Sequence, residues 1–467
     1  MSDSNRPVYG PTYAEMRDPD LLDPAFRARA ADLQNRSPLH RDNLFNIHWQ
    51  DARTGVSAFL VPQAVSGLAA NLVVMDGGTF PSGSMKVGPA YAMLMERELN
   101  EGIRPGSATV IAPSTGNFGI GSAWVARVKG YEARVVMPSG MSRERYALIE
   151  RYGATTDLTP GSESNVNLTL QRTQDRYAGQ SDCAVLGQFS DLANYRFHRH
   201  VTAEGVRRAV QGLGLDGIDL FVSAPGSAGT LAAGEGLRES FPDLCIAAVE
   251  PEECATLTDG GRGSHVIEGI GDQMVTLIHN VHATDLVVRV PDVHTIRGTA
   301  VFSGSMDDIM AIFGVDADCA ARLQGRFGPS GICNVVGAMQ AASYLGLDQS
   351  RTVVTVATDS NDRYRSILDQ LSNNLGRQPH RRDLSGWWSE VRELESARQV
   401  LDIREGDHRE RLHGMKRDTW VPYGYSANFI DSMQGRTFWD REYALVAQLD
   451  LQWQALRQPP DSCRWGA

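Results

Sequence analysis

Lys86 stands out by residue type and by place. The chain carries 45 Lys and Arg residues, and only Lys86, Lys129 and Lys416 are lysines. Arginine keeps its proton in a protein, whereas lysine can lose it, and only a neutral amine attacks a carbonyl to make a Schiff base. Lys86 closes the stretch Pro81-Ser82-Gly83-Ser84-Met85-Lys86, which follows an apolar run from Asn71 to Met75 and the turn Asp76-Gly77-Gly78. Behind it, residues 89–100 carry apolar side chains at helical spacing, with Pro89 near the start. Lys86 is therefore expected where a strand passes through a polar loop into a helix. The alternative is a surface lysine that escaped replacement.

Three further loops have the composition for small-molecule work. Pro113-Ser114-Thr115-Gly116-Asn117-Phe118-Gly119 opens a helical pattern that ends near Gly130. Unpaired N–H groups at a helix start, flanked by hydroxyls and an amide, suit a small anion such as a carboxylate. The structural alternative is an N-cap with glycines for tight packing. Ser223-Ala224-Pro225-Gly226-Ser227-Ala228-Gly229-Thr230 again lies between a strand and a helix. Its glycines, N–H groups and hydroxyls make a phosphate cradle. No Lys follows, and the full dinucleotide pattern is missing, so the phosphate belongs to something smaller than a dinucleotide. Gly328-Pro329-Ser330-Gly331 precedes a helix, where a Ser is commonly a plain N-cap. A fourth loop, Thr358 to Tyr364, closes the last strand.

The elements that must position these loops alternate. Apolar, β-branched runs at 108–112, 133–137, 184–186, 219–223, 245–249 and 352–356 are separated by helical patterns. Nearly continuous apolar strands with helices between them predict parallel sheets covered on both faces. Ligands in such folds bind beyond the carboxyl ends of the strands. The loops after Ala112, Ser223 and Val356 fall there.

At 467 residues the chain has room for more than one core-sized unit. Residues 1–45, with a helical segment over Pro24–Asn35, are expected to wrap the outside of the fold. A core spans 46–375, and 376–467 reads as a mainly helical extension of unknown role. A net charge of −11 argues against nucleic acid or an anionic membrane as the main partner. No apolar run approaches membrane-spanning length, and the N-terminus lacks the apolar core of a signal peptide. The six cysteines contain no CxxC pair. They point to thiols in a reducing cytoplasm rather than to a metal site or a disulfide framework.

Together these pieces, in this order, resemble the fold type II (tryptophan-synthase-like) family of pyridoxal-phosphate enzymes, closest to the cysteine synthase and cystathionine β-synthase group. The resemblance covers about residues 46–370 and rests on Ser84-Met85-Lys86, Ser114-Thr115-Gly116-Asn117, Gly226–Thr230, Ser330 and Asp359-Ser360. Three further stretches, Asn117–Gly121, Gly187-Gln188-Phe189 and Glu268-Gly269-Ile270-Gly271, are similar to cysteine synthase segments. The family implies two three-layer αβα domains with mostly parallel sheets, the smaller and mobile one over about 90–200. It implies pyridoxal 5′-phosphate on Lys86, with Ser84 beside it in the catalytic pair. The cofactor would be held by Asn117, Gly226, Ser227, Ala228, Gly229, Thr230 and Ser330. The substrate would be held by Ser114, Thr115, Gly116, Asn117, Gln188 and Gly269.

The implied reaction is β-elimination or β-replacement on a small serine- or cysteine-type amino acid through an aminoacrylate intermediate, in a cytoplasmic homodimer. Val87-Gly88 after the lysine, Phe118 and Ala228 depart from the cysteine synthase pattern and bear on the substrate. A dehydratase, racemase or γ-replacement enzyme on the same fold is the alternative, as is a cofactor-binding pseudoenzyme acting as a partner protein.

Overall fold

The apolar runs become strands in the computed structural model, which describes residues 8–50 and 55–457. In chain order they are β1 (Ala58–Val61), β2 (Asn71–Asp76), β3 (Thr109–Pro113), β4 (Glu132–Pro138), β5 (Thr155–Thr159) and β6 (Cys183–Val185). There follow β7 (Leu220–Ser223), β8 (Cys245–Pro251), β9 (Leu286–Val290), β10 (Thr352–Ala357) and β11 (Val400–Asp402). They form a seven-stranded sheet, ordered β1-β2-β10-β7-β8-β9-β11, and a four-stranded sheet, ordered β5-β4-β3-β6. The expected α/β architecture with mostly parallel sheets and a helical C-terminal region is what the chain adopts. Antiparallel pairs occur at both edges of the larger sheet, where β1 meets β2 and β11 meets β9.

Register explains why distant loops meet. β2 and β10 run parallel with Asp76 opposite Ala357, so the loop carrying Lys86 and the loop from Thr358 leave the sheet side by side. β7 lies on the other flank of β10, with Phe221 opposite Val354, which brings the Gly226–Thr230 loop to the same edge. Asn334, buried in the helix Pro329–Tyr344, accepts from the N–H of Ala224 at 2.6 Å and donates to the Val356 carbonyl at 2.7 Å. That double bond between helix and strand ends fixes Ser330 at the same rim.

Four strands had escaped the sequence pattern. β1 and β11 are short edge strands, and β5 (Thr-Thr-Asp-Leu-Thr) is a largely polar one; such strands carry weak apolar signals. β9, Leu-Val-Val-Arg-Val, carries a plain β-branched signal that was passed over.

The terminal segments are built into the core. Tyr13, Met16 and Leu44 are buried in the cluster around the helix Val87–Asn100. The helix Arg436–Arg457 packs on that same helix, and its Trp453 indole donates to the Gly10 carbonyl at 3.0 Å. Trp388, buried in the other cluster, donates to the Val65 carbonyl at 2.8 Å. Removing a large buried aromatic costs about 3–5 kcal/mol, so these tryptophans tie the extension firmly to the sheets.

Candidate active site

Lys86 caps the helix Val87–Asn100 and is buried, with 9% of its surface exposed. Burial pushes its amine down to about 8, and Asp272, when ionised, opposes that shift. All three lysines are buried, so none escaped replacement on the surface, but two of them are bound. Lys129 pairs with Glu98 at 3.0 Å, and Lys416 donates to the His279 carbonyl. The Lys86 amine has no hydrogen bond or ion pair among the described residues.

That amine faces a cavity bounded by Lys86, Ser114, Thr115, Gly116, Asn117, Gln188, Gly226, Ser227, Gly269 and Ser330, all singled out in the sequence. Phe118, Glu163, Phe189, Asp272 and Thr358 complete the lining. Ser84, Ala228, Gly229 and Thr230 stand behind it. Ser84 donates to the Thr358 carbonyl at 3.0 Å and accepts from the Lys86 N–H at 3.3 Å. Its hydroxyl fastens the Lys86 turn to the end of β10.

The cradle after β7 can be tested against a phosphate. None of the N–H groups from Gly226 to Thr230 donates to any described group. Ala228 holds a φ of 68°, a left-handed conformation that costs a non-glycine residue about 1–2 kcal/mol. Buried N–H groups without acceptors and a strained turn that gathers them fit a multiply charged oxyanion. Asn194, which the sequence did not point to, sets the shape. Its Nδ2 donates to the Gln188 carbonyl and to Ser227 Oγ, both at 2.9 Å. A Cβ on Gly229 would lie 2.2 Å from Asn194 Oδ1, so glycine is required there by close approach.

The loop after β3 caps a helix and leaves N–H groups without acceptors. Ser114 Oγ accepts from Gly116 N at 3.1 Å and from Gly119 N at 3.0 Å, capping the helix Asn117–Lys129. The N–H groups of Thr115, Asn117 and Phe118 keep no acceptor among the described residues. Asn117 Nδ2 donates to Asp359 at 2.6 Å, and its Oδ1 accepts from Arg363 at 2.7 Å. An amide nitrogen has two donors, so one remains for a ligand.

Behind this loop lies a charged group with no signal in the sequence. Arg145 is fully buried on the helix Arg143–Arg151 and donates to the Thr115 carbonyl at 2.8 Å and to the Tyr364 hydroxyl at 3.2 Å. It pairs with Glu268 at 3.0 Å and Glu163 at 3.6 Å. One guanidinium between two carboxylates leaves a net negative charge in a buried place. Arg145 is pushed up by its anionic neighbours against burial, while burial pushes Glu163 up to about 7. The weaker ion pair decides where the proton goes, and that is Glu163. Thr115 also donates to Glu163. An Arg and two Glu in amphipathic stretches look like solvated charge in the sequence, which is why the group was missed. Glu268 alone lay in a motif already noted.

The geometry is that of a buried, unpaired amine and two loops with unpaired N–H groups on one cavity. A family model described as pyridoxal-phosphate dependent enzyme matches residues 61–359. A probable cysteine synthase of Bacillus subtilis is 31% identical over 287 residues, 61% of this chain and 85% of that protein. The structure of an O-acetylserine dependent cystathionine beta-synthase from Helicobacter pylori matches with a TM-score of 0.57 at 25% identity, covering 68% of this chain and 97% of that one. O-ureido-L-serine synthase matches with a TM-score of 0.56 at 25% identity, covering 69% and 93%.

Proposed function

This chain belongs to the pyridoxal-phosphate dependent enzyme family, and on that premise we propose that it eliminates or replaces the β-substituent of a small serine- or cysteine-type amino acid. The observation that carries the reading is the Lys86 amine, the one lysine amine without a partner among the described residues, facing the same cavity as two sets of unpaired N–H groups.

In this reading Lys86 holds the cofactor and then serves as the base that takes the α-proton. Gly226–Thr230 would hold the phosphate, Ser330 would meet the ring nitrogen, and Asn117 would give its second N–H to the ring oxygen. The N–H groups of Thr115, Asn117 and Phe118 orient the substrate carboxylate. Bound pyridoxal phosphate supplies the electron sink that makes the α-proton removable. Ser330 has no hydrogen-bond partner for its Oγ among the described residues. A neutral hydroxyl does not hold a positive charge on the ring nitrogen as a carboxylate does, so the sink is a weak one. That favours prompt departure of a β-substituent over long-lived carbanion chemistry.

The unit of about residues 90–200 closes over the substrate and excludes water. Ser142 and Arg145 reaching Glu268, and Ser366 donating to Glu144 at 2.7 Å, are among its contacts with the larger sheet's loops.

The test is product identification by mass spectrometry with O-acetylserine, O-phosphoserine, serine, cysteine and homoserine derivatives, with and without sulfide or an amine. Keto acid or a β-substituted alanine is expected, and turnover confined to homoserine derivatives overturns the reading. Borohydride should fix the cofactor to the peptide containing Lys86; a label on Lys129 or Lys416 defeats the assignment.

A further inference from the structure

Asp272 lines the cavity, is 5% exposed, and belongs to none of the motifs that located the site. Every other carboxyl near the cavity has a partner. Glu163 has Thr115 and Arg145, Glu268 has Ser142 and Arg145, and Asp359 has Asn117 and Tyr364. The Asp272 carboxyl has no hydrogen bond or ion pair among the described residues. Its backbone is anchored through its carbonyl, which accepts from Thr256 Oγ1 at 2.8 Å. The residue is thus anchored at the wall of the cavity that Lys86 also lines.

We propose that Asp272 is the proton donor to the departing β-substituent, and that the site serves serine- or cysteine-type substrates whose leaving atom must be protonated as it departs. The proposal rests on the β-elimination or replacement reading above.

An unpaired buried carboxylate costs several kcal/mol, so burial favours the protonated form of this group. Burial and the neighbouring Glu163 raise its affinity for a proton, and Lys86 opposes them. Those two are the charged groups that face it. In the step, Lys86 takes the α-proton, the pair left on Cα forms a Cα=Cβ bond, and the Cβ–O or Cβ–S bond breaks; the leaving atom keeps that bond's pair, takes the Asp272 proton and departs as water, hydrogen sulfide or a thiol. Asp272 is left as a carboxylate. In replacement, a nucleophile adding at Cβ returns its proton to that carboxylate. Acetate departs without needing a proton, so a neutral acid at this position is idle with an acetyl ester.

The holoenzyme and its Asp272→Asn variant should be mixed rapidly with L-serine and with O-acetyl-L-serine at pH 7. Loss of a general acid removes about 100-fold or more from the serine reaction and leaves the ester reaction within about threefold. Equal loss on both, or no loss on serine, overturns the proposal. If the wild type cleaves neither compound, nor cysteine or O-phosphoserine, the reaction reading itself falls; cleavage of both with the variant unimpaired overturns Asp272 alone.

A second readout does not depend on turnover. Infrared spectra of the protein at neutral pH should show a protonated carboxyl band that Asp272→Asn removes; a spectrum unchanged by the substitution overturns the proposal. Should the variant not fold, the wild type still decides. Its serine rate, relative to its ester rate, should fall as pH rises and Asp272 ionises, and a ratio independent of pH overturns the proposal.

Discussion

Arg145 and Glu268 join the two sheets' loops across the candidate active site: Arg145 Nε lies 3.0 Å from the Glu268 carboxylate, with the guanidinium fully buried. A Cβ on Gly116 would lie 2.1 Å from Arg145 Nη1, so the carboxylate-binding loop rests directly on this charge. Removing the guanidinium leaves Glu163 and Glu268 buried without a cation. Arg145→Ala should destabilise the protein by about 3–5 kcal/mol. Urea denaturation measures it, and a loss under about 1 kcal/mol, the value of an exposed pair, contradicts the burial argument.

Glu163 gives a pH signature. Its proton affinity is raised from 4.5 to about 7 by burial, partly offset by Arg145. Between those values the folded chain holds a proton that the unfolded chain has lost. The stability due to that proton is therefore fully present below pH 4.5 and declines as pH rises to about 7. Glu163→Gln cannot ionise, so its stability relative to wild type should rise across that window. Denaturation series at pH 5 and pH 7.5 test this, and a constant difference rejects it.

Ser227 and Thr230 frame the phosphate cradle. Replacing either hydroxyl by Ala should weaken cofactor retention by about 1–3 kcal/mol, roughly a 5- to 150-fold rise in the dissociation constant. Equilibrium dialysis followed by cofactor absorbance is the measurement. Unaltered affinity in the double variant removes the cradle from the site.

Ser330 should govern reaction type. Ser330→Asp places a carboxylate where it can hold the ring nitrogen protonated, strengthening the electron sink. Pyridoxamine phosphate should then accumulate during turnover with an amino-acid substrate, against a negligible amount in wild type. Mass spectrometry of the released cofactor decides between them.

The sequence alone singled out Lys86 and the loops around it. Lys86 could be found because arginine replaces lysine nearly everywhere else, and because a strand-loop-helix signature surrounds it. The Gly226–Thr230 cradle and the Ser114–Asn117 loop were legible for a related reason. Glycines and hydroxyls at strand ends are local features, fixed by backbone conformations that only a few residue types allow. The tertiary structure decided which lysine amine stays unpaired, since burial is shared by all three and only the pairing separates them. It also shows Ser84 tied to the Thr358 carbonyl beside the lysine.

Arg145, Glu163, Asn194 and Asp272 came from the structure because their meaning lies in contacts between residues far apart in the chain. Arg145 touches Glu268 and Tyr364, and Asn194 touches Ser227. Composition and spacing describe a residue's neighbours along the chain. Whether a charge is solvated, paired or left alone in a cavity depends on what folding packs against it, and that sets its proton affinity.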